Sequence, residues 1–201
     1  MKTVFVANPK NKWLMEGARH YAHKHIPNLD LLTCYTPPEV NQWAQALGAF
    51  VESINEDYML LMLDDYWVQS VDVQLLREAE RKMNSNIDKV DLSGDRLQWD
   101  HFECDDANFV LAHDNAKYRT SLQAAIWSKK YLLKFCRKRW NPWDFEMQGS
   151  EIAKGDGVIL GTSRPCMHYI NVLHKGKWYG KDNDFYADRI SPISKSKIKL
   201  E

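Results

Sequence analysis

Two adjacent carboxylates, Asp64 and Asp65, follow the most apolar run of the chain, Met59 to Leu63. Placed side by side they repel unless they are exposed, hydrogen-bonded or neutralised by a cation. Oxygen ligands of this kind suit Mg²⁺ or Mn²⁺, and such an ion in turn holds a diphosphate. A solvated acidic turn or a helix cap would use the same residues structurally, and the spacing alone leaves both uses open. A second acidic pair, Asp144 and Glu146, follows Pro142-Trp143. At the start of a helix a separation of two residues points the side chains in different directions, so only one of them can face a common site. Both acids would also complement the positive end of the helix dipole. The chain holds 8 Trp, 9 Tyr and 7 Phe, enough rings for a packed core and for a site that stacks on flat rings.

The elements that must position these acids alternate. Lys2 to Ala7 reads as a strand ended by Asn8-Pro9, and Trp13 to His25 as a helix closed by Pro27. Leu29 to Tyr35 is a second strand, with Thr36 a candidate cap for a helix over Glu39 to Ile54, where Val40, Trp43, Leu47, Val51 and Ile54 share one stripe. Tyr58 to Leu63 is the third strand and the one expected at the centre; its carboxyl end delivers Asp64-Asp65-Tyr66-Trp67. Val71 to Met83 reads as a helix with Asp72 in its first turn. This β-α-β-α-β-α order predicts an α/β fold with helices on both faces of the sheet. The second half is less regular. Short strands are expected at Lys89 to Leu92, Phe109 to Ala112, Val158 to Gly161 and Met167 to Val172, with helices from Lys129 to Lys138 and from Asp144 to Ile152. The tail from Ile190 is rich in Ser and Lys and is expected to fray.

Composition narrows the field. Lys and Arg number 27 against 27 Asp and Glu, so the net charge is zero over 201 residues. That argues against a protein that holds DNA or RNA by bulk electrostatics and leaves Lys129 to Arg139 as the one local basic run able to track a phosphate backbone. The length suits one domain of roughly 100–200 residues. The N-terminal apolar run is short against the roughly 7–15 residues of a signal-peptide core, and no run approaches the roughly 18–20 residues of a membrane span. Cys34, Cys104, Cys136 and Cys166 form no CxxC pair and read as free thiols in a reducing cytoplasm. His20 and His23 lack an acidic partner nearby and read as surface residues. The phosphate-binding patterns GxxxxGK[ST] and GxGxxG are absent.

The layout, with LMLDDYWV at Leu61 to Val68 and YRTSLQAAIWSKKYLLKFCRKRWNPWDFE at Tyr118 to Glu146, resembles a small GT-A-type, family-two-like glycosyltransferase of bacterial or phage type. The resemblance runs from the first strand to about Glu151. It implies a single GT-A-like (Rossmann-like) domain over residues 1–190, with a mixed, mostly parallel central sheet, and a C-terminal tail over 191–201. It implies transfer of a sugar from a nucleotide-sugar donor, UDP-linked foremost, to a hydroxyl acceptor, inverting, with Mn²⁺ or Mg²⁺ as cofactor. Asp64 and Asp65 stand at the acidic motif that holds metal and diphosphate, although the sequence is DDY rather than a full DxD. The acid closing P-W-D-F-E, Glu146, is favoured as base, with Asp144 next. Asn8, Pro9 and Lys10, with Tyr35 and Thr36, occupy the loops that hold the nucleotide. His174 and Lys177 occupy a C-terminal segment that closes the site as metal ligand and counter-charge. Trp67, Trp127 and Trp143 are the candidates to wall the acceptor, either a surface glycan or a hydroxymethylated pyrimidine in phage DNA. A non-catalytic binding module of the same fold and a nucleotidyltransferase are the competing readings.

Overall fold

The computed structural model describes residues 1–178 apart from 38, 85, 175 and 176. The strands are β1 (Lys2–Ala7), β2 (Asp30–Tyr35), β3 (Tyr58–Leu63), β4 (Tyr66–Val71), β5 (Lys89–Asp91), β6 (His101–Glu103), β7 (Phe109–Ala112), β8 (Ala125–Ser128), β9 (Ile159–Thr162), β10 (Met167–Asn171), β11 (Leu173–His174) and β12 (Lys177–Trp178). The helices are α1 (Lys12–His25), α2 (Trp43–Glu52), α3 (Val73–Lys82), α4 (Lys129–Phe135) and α5 (Pro142–Ile152). Eight strands form one sheet in the order β2-β1-β3-β8-β5-β9-β7-β6. Only β8 and β7 run against the common direction of the other strands. The sheet is therefore mixed, as expected: parallel in most strand directions, with each reversed strand making an antiparallel pair on both of its sides.

Alternation along the central strands sorts side chains onto two faces. Phe5, Leu60 and Met62 face one core, where α1 and α3 supply Leu14, Ala18, Tyr21 and Leu75. Val4, Val6, Met59 and Leu61 face the other, where α2, α4 and α5 supply Trp43, Leu47, Tyr131, Phe135 and Phe145. Burial on both faces explains why β1 and β3 read as near-continuous apolar runs.

Four local departures from the sequence reading have physical causes. First, Asp64-Asp65 makes a tight turn, and the chain re-enters an extended strand, β4, which leaves the main sheet and pairs with β10. Second, Asp72 is the cap of α3 rather than part of its first turn, its Oδ1 accepting from Leu75 N at 3.0 Å. Third, α2 starts only at Trp43, and Thr36 bonds back to the Ala7 carbonyl instead of capping it. Fourth, α4 is capped by Ser128 and stops at Phe135. The next cations, Arg137, Lys138 and Arg139, are exposed and offer nothing apolar to bury. The four cysteines are free thiols, and no described helix is long and apolar enough to cross a membrane. The tail expected over 191–201 lies outside the described residues.

The β4–β10 ribbon is locked to the main body through Trp67. Its indole Nε1 donates to the Leu14 carbonyl at 3.2 Å, and its ring stacks on Tyr21 at 5.6 Å. Gly17 lets that ring lie against α1: a Cβ there would come within 2.2 Å of Trp67 Cζ2. Ala in place of Gly raises helix propensity by about 1 kcal/mol, yet overpacking against a pinned ring costs about 1–3 kcal/mol. Gly17→Ala is therefore expected to lower stability in urea denaturation. An increase would show that the ribbon gives way easily.

Candidate active site

From β1 the chain passes to β2 on one side, and it then returns through α2 to β3 on the other. Where successive connections diverge, a crevice opens at the carboxyl ends of the strands, the usual ligand position in sheets of this kind. The residues leaving β1 and β3 meet there. Asn8 N donates to Asp64 Oδ2 at 3.1 Å, and Asp64 N donates to the Val6 carbonyl at 3.1 Å. Asn8 also caps the turn Pro9–Asn11 by accepting from Lys10 N at 3.0 Å. A cavity of about 200 Å³ opens over these groups, lined among others by Asn8, Thr36, Asp64, Asp65 and Pro142. Of the sequence-derived donor residues, Asn8, Thr36, Asp64 and Asp65 come together. Pro9 and Lys10 sit on the adjoining turn, and Tyr35 is 48% exposed at the end of β2.

The acid pair is electrostatically costly as it stands. Burial, and then the charge of Asp65, pushes the Asp64 carboxyl up to about 7, opposed by the Asn8 N–H. Burial pushes Asp65 up to about 6. Asp65 Oδ1 is buried with no hydrogen-bond partner among the described residues. An orphaned carboxylate oxygen beside a second acid fits a divalent cation. No group of three or more His, Cys, Asp or Glu side chains among the described residues could hold a metal ion. A two-carboxylate site of this kind matches the way Mg²⁺ is commonly held, with substrate phosphates and water completing the shell. The side chains of His174 and Lys177, expected as metal ligand and counter-charge, lie outside the described residues.

The second pair separates as the helix geometry requires. Asn141 caps α5, its Oδ1 accepting from Asp144 N at 2.7 Å, with Pro142 just inside. Asp144 faces outward and accepts from Gln148 of its own helix at 2.8 Å. Glu146 turns inward, and its Oε1 accepts from Leu122 N at 2.7 Å. Burial raises the Glu146 pKa, opposed by the Leu122 N–H and by the charge of Lys89. Glu146 lines a separate cavity of about 310 Å³ together with Asp95, Arg96, Trp99, Tyr118 and Gln123. Because Pro142 lines the first cavity and Glu146 the second, α5 touches both within about 6 Å of helix rise. Buried Tyr66 lies within electrostatic reach of the acids of both. Its hydroxyl is raised well above its ordinary pKa by burial, by Tyr169 and by the charges of Asp65, Glu146 and Asp95.

The aromatic candidates divide. Trp67 and Trp127 are fully buried in opposite cores and cannot touch an acceptor, because each is consumed by packing between sheet and helix. Trp143 is 64% exposed on α5. In the basic run, Lys130, Arg137, Lys138 and Arg139 are exposed, whereas two cations are engaged. Lys129 Nζ donates to the carbonyls of Glu52 and Ile54, and Lys134 pairs with Asp156 at 2.8 Å.

Several residues at and beneath the second cavity were not anticipated. Lys89, Asp91 and Arg96 are buried together: Lys89 Nζ lies 2.7 Å from Asp91 Oδ1, and Arg96 Nε donates to Asp91 Oδ2 at 2.9 Å. Their remaining donors hold the carbonyls of Lys117, Tyr118, Arg119 and Ser121. Burial alone would raise the Asp91 pKa, but the two cations outweigh it and hold the carboxyl below its ordinary value. The available signal was K-V-D, two opposite charges on one face of a short strand, a pattern that reads equally well as a solvent-facing pair.

No protein-family model and no curated protein matches the chain. Among solved structures it is similar to A197 from STIV, 12% identical over 87% of each chain with a TM-score of 0.48. It is also similar to the bifunctional IspDF from Campylobacter jejuni, 10% identical over 80% of this chain with a TM-score of 0.36; the matched region spans about half (48%) of that longer protein.

Two outcomes follow from the electrostatics. Asp91→Asn leaves two buried cations short of their counter-charge and is expected to cost about 3–5 kcal/mol in chemical denaturation; a loss under about 1 kcal/mol would show that the network is not held by charge. For the acid pair, the folded-state pKa values lie above the ordinary 3.8. Protonation then favours the fold: the contribution is complete below about pH 4 and is lost as pH rises through 6 to 7. In chelator, the melting temperature of the wild type should fall more steeply over that window than that of the Asp64→Asn, Asp65→Asn double variant. Equal slopes would refute the assignment.

Proposed function

We propose that this protein is a GT-A-type glycosyltransferase that moves a sugar from a nucleotide-sugar donor, UDP-linked foremost, to a hydroxyl acceptor with inversion. The observation that carries the reading is the presence of two acidic cavities on one helix: a buried pair, Asp64 and Asp65, at the sheet's switch point, and a lone inward carboxyl, Glu146, in the cavity beside it. The pair has the oxygens to hold Mn²⁺ or Mg²⁺, which when bound would supply positive charge for a departing diphosphate. Asn8 and Thr36 line the same cavity and can meet the nucleotide portion.

In this reading Glu146 acts as the base. It takes the acceptor hydroxyl proton while the acceptor oxygen bonds to the anomeric carbon and the bond from that carbon to the diphosphate breaks, its electron pair leaving with the diphosphate. Burial raises its pKa and so strengthens it as a base. The Leu122 N–H fixes its Oε1, and the Ser121 hydroxyl also bonds the carboxyl. Asp144, turned to Gln148, is not in position to share the role.

Thermal shift against UDP-, GDP- and CDP-sugars, with and without Mn²⁺, tests the donor site, since stabilisation follows ligand concentration over Kd. One donor should give a metal-dependent shift, and Asp65→Asn should weaken it. Glu146→Gln keeps an oxygen for Leu122 N and should spare donor binding while lowering turnover about 10²-fold or more. Near-normal turnover would remove Glu146 as base, and no shift with any donor would favour a different use of the fold.

A further inference from the structure

The 310 Å³ cavity around Glu146 has a composition that the donor reading does not use. One wall is aromatic. The rings of Trp99 and Tyr118 lie 4.8 Å apart, tilted by 37°. Both are pinned through Arg96, which accepts from Trp99 N at its own carbonyl and donates to the Tyr118 carbonyl at 2.8 Å. Tyr118 is held there at φ +54°, a left-handed conformation that a bulky residue adopts only when its surroundings enforce it. Across the cavity are groups that accept and donate hydrogen bonds. Asp95 and Glu146 are ionisable carboxyls, and neither forms an ion pair with another described residue. Gln123 has its Oε1 taken by the Tyr169 hydroxyl, which leaves its Nε2 as a donor.

We propose that this cavity binds the acceptor as an uncharged saccharide ring, stacked on Trp99 and Tyr118, with Asp95 accepting hydrogen bonds from its hydroxyls and thereby selecting it. A sugar ring offers an apolar C–H face to an aromatic wall and hydroxyls, both donors and acceptors, around its edge. The volume lies at the lower end of small-ligand sites, about 300–1,000 Å³, which suits a ring-sized ligand.

Charge decides between a saccharide and a nucleic acid. Two cations, Lys89 and Arg96, stand against three carboxyls, Asp91, Asp95 and Glu146, so acid is in excess, and the carboxyls without an ion pair at the ligand space are Asp95 and Glu146. They repel the phosphates that flank any base in DNA or RNA. Lys117, beside Tyr118, is an exposed cation next to the cavity, and Lys129, at the start of the basic run, is remote. Lys129 N bonds to the Asp57 carbonyl, at the amino end of β3, whereas Asp64 leaves the carboxyl end of that strand, about 20 Å away.

That the bound ring is the acceptor rests on Glu146 serving as base; that a ring binds here does not. Saturation-transfer NMR with millimolar methyl glycosides of glucose, galactose, mannose and N-acetylglucosamine, with no nucleotide present, reads ring binding directly. At least one glycoside should bind. Asp95→Asn and Trp99→Ala, each shown to be folded by its circular dichroism and melting transition, should each weaken it about tenfold or more, the loss expected for one hydrogen bond to a charged group. Fluorescence anisotropy with an oligonucleotide carrying hydroxymethylcytosine should show no binding at low salt. The proposal is overturned if no glycoside binds, if both variants bind as the wild type does, or if the oligonucleotide binds and competes with the glycoside. A glycoside that binds through Asp95 while no nucleotide sugar shifts the melting temperature would sink the donor reading alone. A donor shift with no glycoside binding would sink this inference alone.

Discussion

The buried ion network of Lys89, Asp91 and Arg96 is the constraint on which the second half of the molecule depends. Charges inside a protein are tolerated only when paired and fully hydrogen-bonded, because their desolvation is otherwise uncompensated. Here the donors left over after Asp91 is paired find the carbonyls of the segment 117–121. That segment has no regular structure of its own, so its shape is set by where those donors point. It leads to Leu122, whose N–H holds Glu146, and it places Tyr118 beside Trp99. Lys89 also lies 4.5 Å over the Trp127 ring, which ties the network to the core beneath. One cluster of three side chains thus fixes a loop, an aromatic wall and a carboxyl.

The first half is organised by a different force. Its sheet positions follow from burying β1 and β3 on both faces, and its acids are presented because a strand that must end in the interior has to turn at once. Asp64 and Asp65 form that turn, and the strand after it leaves the sheet for β10. The acidic turn therefore stays buried, pressed between the main sheet and the ribbon, and this burial is what raises both carboxyls. Had β4 continued away into solvent, the same two residues would form an ordinary exposed turn.

Much of this was legible in the sequence, and the legible parts share a cause. Val4, Val6, Met59 and Leu61 announce buried strands because period and apolarity coincide, and Asn141-Pro142 announces a helix start because capping chemistry is local. The placement of Asp64 and Asp65 after a central strand and the opposite directions of Asp144 and Glu146 followed from the same local rules. Long-range pairing was not legible. Nothing near Tyr66 to Val71 says that its partner is β10, a hundred residues on, so β4 read as loop and helix. Trp67 and Trp127 stood as candidate walls for an acceptor because composition cannot say whether a ring is enclosed. Lys89 and Asp91 read only as part of a short strand because their partners, Arg96 and the carbonyls of 117–121, lie in segments without periodicity.

Helix α5 carries a further consequence. Its start is fixed by the Asn141 cap and by Pro142 at the first cavity, and its fifth residue, Glu146, reaches the second. Each added or removed residue between those points would rotate Glu146 by about 100° around the axis. Both cavities would still form, but the carboxyl would face the core or the solvent. In this stretch the number of residues is constrained more tightly than their identity: Trp143 can change with little effect on where Glu146 points, whereas an insertion of a single alanine cannot be absorbed.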